Sequence, residues 1–215
     1  MKKVYLFLSV AFFSFLSVDK AMALIPESQT QNFEAQLAVA QDSKKPLSMR
    51  WQALLKSSEL ANYEQMQKIK DFTHDSDWFM RNAALVSLQK IGLDHAIDPA
   101  KVLLKDKALV VRSAAVDILA KKLTLENRQL LAQEMDQTYN FKKSKSLWIR
   151  PKIFEIIAAN ASFDDRLFFI RHLFDSDEMI QKKSVQVLEK ITEVKLSSDH
   201  PVKEWQNYVK KKGWF

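Results

Sequence analysis

The sequence predicts an all-α protein made of stacked helical hairpins, and three observations carry that expectation. The 215-residue chain holds only two glycines, Gly92 and Gly213, and no cysteine. Five similar segments recur along it at spacings of 31, 31, 38 and 31 residues. Within them the apolar residues follow helical spacing: Met80, Ala84, Leu88 and Ile91 share one face, as do Val111, Ala115 and Leu119. So few glycines exclude a dinucleotide-binding fingerprint, a P-loop and a nucleophile elbow. They also weigh against sandwiches and hairpin-rich barrels, whose tight turns lean on glycine. The missing cysteines exclude disulfides, thiolate metal sites and thiol nucleophiles.

The first element reads as a secretory signal peptide over residues 1–23. Lys2 and Lys3 precede an apolar stretch, Val4 to Val18, and Ala21-Met22-Ala23 supplies an A-x-A cleavage site. The alternative is an uncleaved anchor, but such a stretch rises only about 22 Å as a helix, short of a hydrocarbon core of roughly 30 Å. Cleavage after Ala23 leaves a mature chain starting at Leu24, without a transmembrane segment, in the periplasm or secreted. An exported domain without disulfides must be stabilised by its core alone.

Residues 24–195 carry the repeats. Their anchors are Met49-Arg50, Met80-Arg81, Val111-Arg112, Ile149-Arg150 and Ile180-Gln181. Asp75, Asp106 and Asp175 stand six residues before their anchors, and Leu88, Leu119, Ile157 and Leu188 seven residues after. Between these segments lie other amphipathic stretches, Tyr63–Phe72, Ile97–Leu104, Leu125–Met135 and Asp164–Phe174. Each unit is therefore a helix, a short turn and a second helix. One hairpin cannot bury its apolar face alone, so the units stack. An Asp just ahead of the second helix suits its exposed N–H groups.

The pattern D-x-x-x-x-Φ-R-x-x-A, with Φ apolar, stands as DSDWFMRNAA (Asp75–Ala84) and DKALVVRSAA (Asp106–Ala115). It resembles the HEAT repeat in its short bacterial form. The resemblance implies a right-handed α-solenoid of about five hairpins. It also implies a ladder between adjacent repeats from Asp75, Arg81, Asp106, Arg112 and Asp175. The departures are Lys44 and Ser144 at the Asp position, Pro151 after Arg150, and Gln181 in place of Arg. Residues 196–215 form a capping helix and tail: Asp199-His200-Pro201 starts a helix, and Val202, Trp205 and Val209 share its face. It is similar to the tryptophan-bearing helix that closes many HEAT-like arrays. Its basic residues, with Trp214 and Phe215, leave contact with a membrane or partner as the alternative.

The functional reading rests on charge. The formal net charge is +7, and residues 101–150 hold eleven basic against five acidic side chains. The segment that lengthens the third spacing, TYNFKKSKSLW, mixes lysines with aromatics. Insertions in repeat proteins map to loops on one face, often the binding face. Tyr139, Phe141, Lys142, Lys143, Lys145, Trp148 and Arg150 are therefore the candidate partner-binding residues, and the alternative is a solvated loop. His74, His95, His172 and His200 lack metal-ligand spacing, and the acidic pairs lack an EF-hand loop. No nucleophile, base or metal set converges, so no enzymatic activity, metal or cofactor is expected. The expected role is a protein- or peptide-binding scaffold in the cell envelope. The alternative is a module binding anionic lipid, lipopolysaccharide or peptidoglycan. No recognition-helix pattern supports nucleic acid.

Overall fold

The computed structural model describes residues 27–214, so the expected signal peptide and its Ala23 cleavage point lie outside the described residues, as does Phe215. Eleven α-helices are found among the described residues: α1 Glu27–Gln41, α2 Leu47–Leu60, α3 Tyr63–Asp71, α4 Trp78–Ile91, α5 Leu93–Leu103, α6 Leu109–Lys121, α7 Leu125–Met135, α8 Ile149–Ala159, α9 Arg166–His172, α10 Glu178–Thr192 and α11 Pro201–Lys211. The protein is all-helical apart from one short hairpin, β1 Phe141–Lys142 and β2 Lys145–Ser146.

Local chemistry starts five of these helices. Asn62 and Gln65 form a reciprocal capping box on α3, while Asp77, Thr124 and Asp177 cap α4, α7 and α10 through their side chains. Pro201 opens α11, where its missing N–H costs nothing. Between α4 and α5 the chain turns at Gly92. A Cβ there would stand 3.2 Å from the exposed His95 ring, a tight approach that a small shift of the ring relieves.

The even-numbered helices pack in series, α2 on α4, α4 on α6, α6 on α8 and α8 on α10. Their contacts use equivalent positions. Leu54, Leu85, Val116, Phe154 and Val185 are all buried four residues after the anchor. Leu88, Leu119, Ile157 and Leu188 are buried seven after it. Small side chains at Ala53, Ala84 and Ala115 let the helices approach. Met49 departs from its counterparts: it is exposed, whereas Met80, Val111, Ile149 and Ile180 are fully buried. At the C-terminal end α11 lies on α10 with Trp205 and Val209 buried.

Two expectations change. The segment read as a long loop is a 3-10 turn, Thr138–Asn140, followed by the β1–β2 hairpin. The stretch expected as helix over Asp164–Phe174 is a 3-10 turn leading into the shorter α9. There the Asp165 carboxylate accepts from the Ser162 N–H in a reciprocal capping box that starts the 3-10 turn.

Candidate functional site

The hairpin stands on a row of buried arginines. Each even helix from α2 to α8 projects one from its first turn. Arg50 reaches Asp75 at 3.2 Å, and Arg81 grips Asp106 through two bonds of 2.6 and 2.8 Å. Arg150 holds Asp175 at 2.5 and 3.1 Å. In all three pairs the carboxylate lies 25 residues after the arginine. Arg81 and Arg112 also donate to the carbonyl of the residue six positions earlier, Asp75 and Asp106. Gln181 does the same to Asp175, so the amide replaces the part of arginine that bonds backbone and omits the part that seeks a carboxylate. Burial pushes the Asp106 carboxyl up, but bonds from Arg81 and the Ala108 N–H, with the Arg81 charge, outweigh it and hold it below its ordinary range.

At α6 the row changes. Arg112 has no aspartate ahead of it and bonds Asn140 Oδ1 at 3.2 Å, with the buried Glu134 carboxylate 3.8 Å away. Glu134 accepts from Tyr139 Oη at 2.7 Å and from Asn140 Nδ2 at 2.8 Å. Burial raises its carboxyl above the ordinary value despite those donors. Burial and the bond to Glu134 push the Tyr139 phenol up as well. The inserted segment thus brings its own substitute for the absent aspartate.

This geometry sorts the seven residues expected to meet a partner. Arg150 is corrected: it is 1% exposed and engaged by Asp175, the Met135 carbonyl and Ser146 Oγ, so it cannot reach a partner. Phe141 lies on the Arg150 guanidinium at 4.1 Å, and Tyr139 on that of Arg112 at 4.9 Å. Both rings therefore mount the insertion on the arginine row. Facing residues of a strand pair share one side of the sheet. Phe141 is opposite Ser146, and both touch Arg150; Lys142 is opposite Lys145 on the other side. Lys142, Lys143 and Lys145 are exposed, and Trp148 is half exposed with Lys152 over its ring.

Sequence reading missed Glu134 and Asn140, whose signal was only the absent Asp near position 137. It also passed over the cluster of Asp136, His172 and Asp175, whose ligand atoms lie within 4.8 Å of one another. That cluster already contains a cation, because Arg150 Nη2 is 2.5 Å from Asp175 and 3.8 Å from Asp136. His172 is buried, with Nδ1 2.8 Å from the Phe168 carbonyl and Nε2 3.2 Å from Asp136. No protein-family model matches this chain, and no curated protein matches it.

Proposed function

We propose that this chain is an exported, non-enzymatic helical-repeat protein of the HEAT-like kind, a right-handed solenoid serving as a protein-binding scaffold in the cell envelope. The observation that carries the reading is a repeated exposure. Met49, Trp78, Val110, Trp148 and Met179 are large apolar side chains left between 44% and 59% exposed, each in or just before the first turn of α2, α4, α6, α8 or α10. Helices that stack in series bring their first turns to one edge, so these exposures gather along that edge, though not at one equivalent helix position. Buried ionisable groups along the same edge are spent on holding helices together, which suits recognition without chemistry.

A photoreactive amino acid placed at position 110 or 148 of the mature protein tests the reading. It should yield a discrete cross-linked envelope protein, whereas position 125, exposed at the start of α7, should not. Equal labelling from all three positions removes that edge as the binding surface. Recovery of a chain beginning at Leu24 from the periplasmic fraction is the accompanying expectation. The hairpin lysines favour a second reading, attachment to an anionic envelope component, because nothing among the described residues pairs with Lys142, Lys143 or Lys145.

A further inference from the structure

Three local choices in the β1–β2 hairpin work against its own stability. Lys143 and Ser144 both adopt left-handed backbone, φ 49° and 62°, where a two-residue hairpin turn calls for Asn-Gly. Lys142 stands directly across from Lys145, and facing like charges repel. Conflicts of this kind persist where the surroundings hold them, and they gather at functional sites. Here the surroundings are Arg150 and Arg112, which clamp Phe141, Ser146 and Tyr139.

Beside the turn lies a recess of about 470 Å³, lined by Thr138, Phe141, Lys143, Ser144 and Ser176. Its polar groups are three hydroxyls and one ammonium, and no carboxylate lines it. None of the three hydroxyls has a hydrogen-bond partner among the described residues. The nearest acids in sequence are already engaged: Asp175 by Arg150, and Asp177 by the Met179 N–H. Three solvent-facing hydroxyls and an ammonium lining one recess, beside two more exposed lysines, suit a tetrahedral oxyanion. Such an anion would also relieve the repulsion between Lys142 and Lys145.

We propose that this recess binds a phosphate group, with Lys143 supplying the charge and Thr138, Ser144 and Ser176 donating hydrogen bonds. The phosphate is that of a lipid headgroup or of a soluble phosphate compound. The proposal rests on the anionic-envelope reading for the first source and stands without it for the second.

The test uses the mature full chain with two probes: inorganic phosphate in solution titration, and phosphatidylglycerol–phosphatidylcholine vesicles in sedimentation. Thr138→Val/Ser176→Ala removes two donors without altering net charge, and Lys143→Gln removes the ammonium. Loss of two hydrogen bonds to a charged group should weaken binding about a hundredfold in the double variant, and loss of the ammonium at least about tenfold in Lys143→Gln. Lys70→Gln, on α3, should leave it unchanged, and thermal midpoints should match the parent. Binding of phosphate alone assigns the soluble source, and vesicle binding assigns the headgroup; both support the site. The site is refuted if the parent binds neither probe, or if the double variant binds both as the parent does. Vesicle binding that survives the double variant while phosphate binding is lost refutes the headgroup source and leaves general attachment through the lysines intact. A failure here leaves cross-linking at positions 110 and 148 unaffected.

Discussion

Arg150 ties the end of α7, the β1–β2 hairpin and Asp175 together, and Arg150→Met tests that role. The side chain is 1% exposed and Asp175 is 7% exposed, so the pair sits out of water. Its guanidinium makes two bonds to Asp175, one to the Met135 carbonyl and one to Ser146 Oγ, beneath the Phe141 ring. Methionine matches the length of the stem and fills the space without the charge. What remains is a buried carboxylate without its cation, beside Asp136, and breaking a buried pair in this way costs about 3–5 kcal/mol. That is a large share of the roughly 5–15 kcal/mol that holds a typical domain together. Urea unfolding followed by far-ultraviolet circular dichroism measures it. Arg150→Met/Asp175→Asn should recover at least about 1.5 kcal/mol of the loss, because no charge is left unpaired. A single-variant cost under about 1 kcal/mol, or strictly additive effects, would sink the account of Arg150 as the mount of the hairpin.

Other consequences follow from the same geometry. Lys143→Asn/Ser144→Gly supplies the residues that a turn with two positive φ values favours, and should stabilise the fold by about 1 kcal/mol in the same assay. The Asp106 carboxyl is held below its ordinary value, so Arg81–Asp106 stabilises the fold fully above the unfolded value near pH 4, and the contribution fades as pH falls through the lower folded value. The gap between the parent and Asp106→Asn should accordingly be widest at about pH 5–7 and narrow as pH falls below the unfolded value in acid-unfolding curves; a gap independent of pH contradicts the assignment. Trp205→Ala should cost about 3–5 kcal/mol by opening a cavity under α11, with the α11 amides losing hydrogen-exchange protection first.

Much of the helical order was legible in the sequence because period and burial coincide. The apolar residues that recur at matching offsets, from Leu54 to Val185 and from Leu88 to Leu188, are the ones buried between even helices. The α7 stretch, Leu125–Met135, was readable to the residue, since Thr124 supplies its cap and the chain leaves the helix at Asp136. Less legible was the inserted segment. A lysine-rich stretch with aromatics reads equally as loop or binding site, and nothing local says that Phe141 and Tyr139 face arginines on different helices. Arg150 was misread for the same reason: beside Trp148 and the lysines it looks like surface, and only Asp175, 25 residues on, reveals it as buried.

The sequence by itself determined the helical character, the register of the repeats and which apolar faces must be covered, because these depend on side chains within a few residues of each other. It also determined the basic block and the absence of any thiol chemistry. Tertiary structure alone decided which charges are spent. Arg81, Arg112 and Arg150 meet carboxylates 22 to 25 residues away, while Lys142, Lys143 and Lys145 have no ion-pair partner among the described residues. A charge becomes available to a partner only when the fold gives it no counterion, and pairing across helices is a property of distance in space that spacing along the chain does not encode.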